Sequence, residues 1–268
     1  MASFAAPTTM SPLPGDIRLM QTTANAVFVL AALALCAAAL LWLTRLPIFA
    51  VRSIKIDGEV VRNSVSTIRA NAGPKLAGNF FTLDLQKSRA AFEAVPWVRH
   101  AVVRRVWPNR LAVQLEEHHA AALWATEDGN DKLVNSQGEV FEANPGDVED
   151  EALPRFAGPE GSSAAMLALH RRLQPVLAAL NAGDVGELKL SGRGSWRAAL
   201  EGGAVIELGR GSDDEVIARS ERFVRTMAQV NERYQRPLEY ADLRHADGYA
   251  VRLKGITTTV PAAPARRR

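Results

Sequence analysis

Cysteine is almost absent from this chain of 268 residues, and its scarcity excludes several chemistries at once. Cys36 stands alone, so no disulfide braces the fold, a state compatible with an oxidising or a reducing compartment. Leu35 precedes it where a lipid-attachment motif needs a small residue, so Cys36 reads as an inert helix residue. Histidine is also sparse. Glu116-Glu117-His118-His119 carries the atoms of a metal site, but strand alternation sends neighbours to opposite faces and only one pair could converge. Ser195 and the other serines lack a histidine and acid arrangement that would make one of them a nucleophile. An excess of one charge is missing as well. The net charge is +3, and Arg266, Arg267 and Arg268 supply all of it, so a nucleic-acid footprint over the whole chain is not indicated.

Long apolar runs are absent too, with one exception. Ala26 to Leu43 contains neither charge nor proline. A helix over this run, extended to about Leu46, rises roughly 30 Å and matches the hydrocarbon core of a bilayer. Its end, Leu40-Leu41-Trp42-Leu43-Thr44-Arg45, offers no small-residue cleavage site, so the run reads as a retained span over 23–46 behind a polar lead of 1–22. Arg18 and the amine flank one side, and Arg45, Arg52 and Lys55 the other. That count slightly favours a cytoplasmic location for the large domain.

Charge is unevenly spread beyond the span. Residues 51–117 carry 11 Lys and Arg against 6 Asp and Glu, whereas 118–185 carry 4 against 11. The membrane-near part is therefore the basic part, suited either to lie near anionic head groups or simply to be a solvated face.

The order of elements defines two domains, 49–118 and 119–255. Val51 to Ile56 alternates and stops at Asp57-Gly58, as a half-buried strand does. Asn63 or Ser64 caps a helix running to about Asn71, and Gly73-Pro74 ends it. A second helix spans Gln86 to Ala94. Trp97 to Trp107 and Arg110 to Glu117 form two strands joined at Pro108-Asn109. A three-stranded sheet with two helices buries these stripes. In the second domain, Lys132 to Asn135 and Glu139 to Phe141 make a hairpin. Asn144 to Gly161 is rich in proline, glycine and acids. A helix from Ala164 to Leu180 follows, bent or divided at Pro175. Strands are expected over 187–190, 195–200 and 204–208, then a helix from Asp213 to Tyr234 capped by Ser212, and final strands over 238–243 and 249–253. Gly209-x-Gly211 precedes that helix, but Asp213, Asp214 and Glu215 fill its first turn and would repel a bound anion. Residues 256–268 have the composition of a disordered tail. The fold class is α+β.

Several of these segments resemble one family. Val51-x-x-Ile54-x-Ile56-x-Gly58, Gly78-Asn79-Phe80-Phe81-x-Leu83-Asp84, Pro96-Trp97-Val98 and Val106-Trp107-Pro108-Asn109 resemble the POTRA domain of the bacterial cell-division FtsQ/DivIB family. Leu153-Pro154-Arg155-Phe156-Ala157-Gly158-Pro159 resembles a further segment of that family. The resemblance covers about 45 to 255. POTRA domains also serve outer-membrane assembly and secretion, but those chains carry a large barrel for which this one has neither length nor strands.

The resemblance implies a non-catalytic, single-pass inner-membrane scaffold of the divisome at the septum, with the N-terminus cytoplasmic and both domains periplasmic. It implies no cofactor or metal. Tyr240 to Val251 is similar to the segment that receives FtsB, which pairs with FtsL. A partner strand adding to this edge would gain backbone hydrogen bonds, with flanking side chains setting specificity. Carried over by position, Tyr240, Arg244, His245, Asp247, Gly248, Tyr249 and Val251 form the partner site, Arg244 pairing a carboxylate and Gly248 permitting close approach. Arg193 or Arg197, beside Trp196, supplies a second basic contact. His245 stands where the family commonly has tyrosine, and no tryptophan follows the strand. The family's recruitment surface maps to Arg99, Arg104 and Arg105. Without the resemblance, Tyr240, Leu243 and Val251 equally suit a core-forming hairpin. Two other functions fit the residues: a tethered enzyme acting on peptidoglycan through carboxylates, and a POTRA chaperone for extended polypeptides.

Overall fold

The computed structural model describes residues 15–58, 60–76, 78–245 and 248–256, with backbone only for 15–18. The expected tail after 256, most of the polar lead and Asp247 lie outside the described residues. The first element, α1 (Gly15–Thr44), starts well before the apolar run and ends two residues before Leu46. Its stretch Leu19–Thr44 has a mean hydropathy of 2.7 over its most apolar window and buries none of it in the protein. An apolar helix left uncovered by its own fold suits a bilayer rather than a core.

Contacts divide the chain into two compact units. The first holds α1, β1 (Ser53–Gly58), α2 (Val65–Ala72), α3 (Leu85–Glu93) and most of β2 (Val98–Val106) and β3 (Arg110–Glu117). Their sheet runs β1-β3-β2, with β1 parallel to β3. Ser64 caps α2 by accepting from the Thr67 amide, and Asp84 caps α3 by accepting from Gln86 and Lys87. Ile68, Ala72, Leu83, Phe92, Leu111 and Val113 fill the core, each nearly or fully buried. Gly58 closes β1 at φ 125°, where a Cβ would stand 2.1 Å from the Leu115 carbonyl oxygen. Only glycine fits that approach.

The second unit comprises 61–63, 95–100 and the chain from 116 onward. Its sheet has nine strands in the order β12-β11-β10-β9-β8-β7-β4-β5-β6. These are β4 (Ala120–Trp124), β5 (Lys132–Asn135), β6 (Val140–Phe141), β7 (Arg155–Ala157), β8 (Val185–Leu190), β9 (Trp196–Leu200), β10 (Val205–Gly209), β11 (Leu238–Asp242) and β12 (Ala250–Leu253). Pairing is parallel at β4–β7, β7–β8 and β10–β11 and antiparallel elsewhere. Helix α4 (Ser163–Ala178) packs on β4 and β8, α5 (Asp213–Tyr234) packs on β10, and the two helices touch. Phe156, Leu169, Leu173, Leu188, Ile206 and Phe223 are core residues of this unit.

Pro175 lies inside α4 and does not divide it, so of the two alternatives only a bend remains. One expectation changes. The proline-rich stretch after Asn144 contains β7, a three-residue strand between two parallel neighbours. Phe156 anchors it with no solvent exposure. Its brevity hides the alternation by which a strand is recognised.

Candidate functional site

Strand β12 is one end of the nine-stranded sheet, and its free side is an unpaired backbone edge among the described residues. Its inner side pairs with β11 at Leu238↔Leu253, Tyr240↔Arg252, Ala241↔Val251 and Asp242↔Ala250. Leu253 alone of the strand is buried, so Ala250, Val251 and Arg252 remain at the surface. An antiparallel final hairpin that buries one side chain in four leaves an edge open to strand addition.

The residues before β12 set the chemistry around that edge. The Arg244 Nε donates to Asp242 Oδ1 at 2.8 Å and its Nη2 to Asp242 Oδ2 at 2.6 Å, while the Arg244 amide donates to Oδ1 at 3.0 Å. The fork thus already holds one carboxylate bidentately. The Arg244 guanidinium holds the Asp242 carboxyl down at about 2, against the opposing effect of burial, and the carboxylate in turn pushes the guanidinium pKa up. The Arg244 side chain remains 55% exposed. His245 and Gly248 are exposed, and space is open around Gly248 where a Cβ would stand. Tyr240 is half-buried on β11. Tyr249, also half-buried, sets its ring edge-on to Phe223 at 5.0 Å, so it contributes to the core as well as to the surface.

Arg197 on β9 pairs with Glu207 on β10 at 2.8 Å, whereas Arg193 lies exposed in the turn between β8 and β9. The other predicted arginines each have a hydrogen-bond partner. Arg99 donates to both Glu116 and Glu139, Arg104 to Gln114, and Arg105 to the Leu83 carbonyl. Glu116 and Gln114 are two apart on β3 and share a face, while Leu83 lies in the first unit's core. Arg99, with Asn135 assisting, holds the Glu139 carboxyl down at about 2.

A further group was not foreseen in the sequence. Arg210, Arg219, Arg222 and Arg225 join Arg244 and His245 around a cleft of about 650 Å³, with Glu215 and Glu221 on its wall. Arg219 is tied to the carbonyls of Leu208 and Arg210. Glu215 is occupied in the capping box of α5, accepting from the Ser212 amide at 2.8 Å. The signal was present as arginines three residues apart on α5, a spacing that places them along one side of a helix.

The Glu116 to His119 run is committed elsewhere. Glu117 accepts the amides of Val61, Arg62 and Asn63 at 2.8, 3.0 and 3.1 Å. His118 stacks on Phe141 at 4.0 Å with its Nδ1 2.9 Å from the Asn135 side-chain Nδ2. No cluster of three metal-ligating side chains occurs among the described residues.

Comparison with known proteins agrees with this architecture. Residues 49–118 match the family model for the POTRA domain, FtsQ-type, and residues 122–244 match that for cell division protein FtsQ/DivIB, C-terminal. The chain is 43% identical to the cell division protein FtsQ of Burkholderia pseudomallei, over 90% of this chain and 94% of the relative. It is 38% identical to that of Thiomonas arsenitoxydans, over 91% and 90%, and 38% identical to that of Bordetella pertussis, over 89% and 92%. No enzymatic family is indicated by these matches. A POTRA-type domain behind one apolar helix, a mixed-sheet domain with helices, and relatives alike over nearly their whole length lead to one assignment: the chain belongs to the FtsQ/DivIB family of bacterial cell division proteins.

Proposed function

We propose that this protein is a non-catalytic scaffold of the division machinery, anchored by α1 in the inner membrane at the septum, with its N-terminus cytoplasmic and both domains periplasmic. The proposed boundaries are 1–22 for the cytoplasmic tail, 23–46 for the span, 49–118 for the POTRA domain, 119–255 for the β domain and 256–268 for a tail. FtsB adds an extended segment to β12 and brings FtsL with it. The first domain aids recruitment through Arg99, Arg104 and Arg105. The observation that carries this reading is the open β12 edge beside an arginine-lined cleft. The edge supplies backbone donors and acceptors, and the cleft favours a partner with carboxylates near its strand. Arg244 can serve both Asp242 and a partner, because its guanidinium has five donors and gives two of them to Asp242. Gly248 leaves room for the partner's backbone, and His245, Tyr249, Tyr240 and Val251 border the seam, with Asp247 kept in the proposed site on the family resemblance alone. Arg193, exposed in the β8–β9 turn, or Arg197, paired with Glu207, supplies the second basic contact.

The test is binding of the full chain in detergent to the periplasmic segments of FtsB and FtsL from the same cell. Gly248→Trp meets open space in the free protein, so it should fold normally and lose binding. Retained binding by that variant would remove β12 from the interface. Alkaline phosphatase fused after residue 268 should be active outside the cytoplasm, and a stable but inactive fusion would refute the orientation.

A further inference from the structure

The strongest unassigned surface lies within the first unit, around the residues that follow α1. Asn79 Nδ2 donates to the Thr44 carbonyl at 2.6 Å, the Phe80 amide to the Phe49 carbonyl at 2.8 Å, and Asn79 bridges Ala50 as an isolated β-pair. The turn between β2 and β3 is tied to the same segment. The Arg52 amide donates to the Asn109 carbonyl at 3.0 Å, and Asn109 Nδ2 to the Ile48 carbonyl at 3.4 Å. Two loops that are distant in sequence are thereby stapled to the residues that leave the apolar helix.

Those loops present bare apolar side chains. Trp107 is 74% exposed, Ile48 56% and Phe81 48%. Phe81 also stands edge-on to Phe49 at 5.0 Å, so the group is preformed. Arg45, Arg52 and Arg110 are exposed around it. Asp84, the carboxylate nearest Phe81 in sequence, is used in capping α3. Aromatic side chains with basic residues at the end of a spanning helix match the bilayer interface, where amphipathic rings sit among head groups and arginine meets phosphate. Exposed apolar side chains carried by loops that are tied to one short segment, directly after an apolar helix, suit a surface that receives them together.

We propose that Ile48, Phe81 and Trp107 form a seat that enters the head-group layer of the membrane crossed by α1, with Arg45, Arg52 and Arg110 contacting anionic phospholipid. The seat rests on the reading of α1 as a span, and it holds for either leaflet. It fixes the first unit against the membrane surface and limits the directions in which that unit can point.

The full chain is reconstituted in vesicles of phosphatidylcholine alone or an equal mixture of phosphatidylcholine and phosphatidylglycerol. In a Cys36→Ala background, Phe81→Cys, Trp107→Cys or Val65→Cys carries an environment-sensitive fluorophore. Val65 is 45% exposed and starts α2 in the same unit, after the end of β1 that is remote from Arg52. Quenching by a head-group nitroxide lipid should be roughly two-fold or more greater at 81 and 107 than at 65, and greater in the anionic vesicles. Equal quenching at the three positions would overturn the seat. A fluorophore on native Cys36, read with an acyl-chain nitroxide, reports the span separately: its quenching with none at 81 and 107 refutes the seat alone, and no quenching at Cys36 refutes the span beneath it. Ile48→Cys provides a second position should Phe81→Cys fold poorly. Combined Arg45→Gln, Arg52→Gln and Arg110→Gln should abolish the anionic increment, and equal quenching of the unmodified arginine form in both lipids would overturn the role given to the three arginines.

Discussion

Replacing Arg244 by glutamine separates the stability role of this residue from its binding role. The substitution removes two charge-assisted hydrogen bonds, at 2.8 and 2.6 Å, and leaves Asp242 only the amide of residue 244 at 3.0 Å. Asp242 is 8% exposed, so its charge depends on that pairing. Its carboxyl falls from 3.8 to about 2 in the folded chain. At 1.36 kcal/mol per pKa unit this corresponds to roughly 2.5 kcal/mol. Because the guanidinium side chain is 55% exposed and screened by water, about 1–2 kcal/mol is the expected loss at neutral pH. The folded carboxyl is the stronger acid, so the wild-type advantage is fully present above pH 3.8 and disappears as pH falls through about 2. Urea unfolding of the second unit, followed by tryptophan fluorescence from pH 7 to pH 2, should show the two proteins converge at the acid end. Equal stability at pH 7, or a gap that persists unchanged at pH 2, would refute the coupling. Partner affinity measured at pH 7 on the folded variant then reports binding alone. Arg244→Glu is a poorer probe, since it sets a second carboxylate beside a buried one.

Other substitutions test the scaffold behind the site. Glu117→Ala strips the acceptor from three backbone amides and should cost about 3–5 kcal/mol, read as a lowered Tm, with Glu117→Gln intermediate because one carboxamide oxygen remains. Phe156→Ala, at a site with no solvent exposure, should cost about 3–5 kcal/mol in chemical unfolding. Gly58→Ala should lower stability by about 2 kcal/mol or more, since its Cβ would collide with the Leu115 carbonyl at positive φ; a neutral effect would show that β1 can shift. Burial lowers the pKa of His118, so the unfolded chain takes up its proton first as pH falls below 6.5. Stability should decline below that pH, and His118→Phe, which keeps a ring beside Phe141, should flatten the decline in pH-dependent melting.

Sequence periodicity and caps located the long elements because their causes are local. Ser212 and Glu215 define the start of α5 by a reciprocal pair of hydrogen bonds, and the helix runs over the expected Asp213–Tyr234. Strands β1 and β3 alternate as half-buried strands do, whereas β2 does not and leaves Val102 and Val106 exposed. Strand β7 was not legible, since three residues show no period and Phe156 acquires its meaning only from β4 and β8 on either side. Which faces Arg99, Arg104 and Arg105 take depends on their separate partners, and no spacing rule contained those partners.

By itself the sequence determined the apolar helix, the two-domain order, the α+β class and the membership signalled by the Gly78 to Asp84 and Leu153 to Pro159 segments. Those properties reside in hydrophobic period, turn residues and short motifs, all written within a few residues. Only the tertiary structure decided that β12 ends the nine-stranded sheet, that Asp242 already occupies Arg244, and that arginines from α5 and the β10–α5 turn gather beside it. Strand order and side-chain pairing are set by contacts between residues far apart in the chain, and such contacts exist only once the sheet has closed over its core.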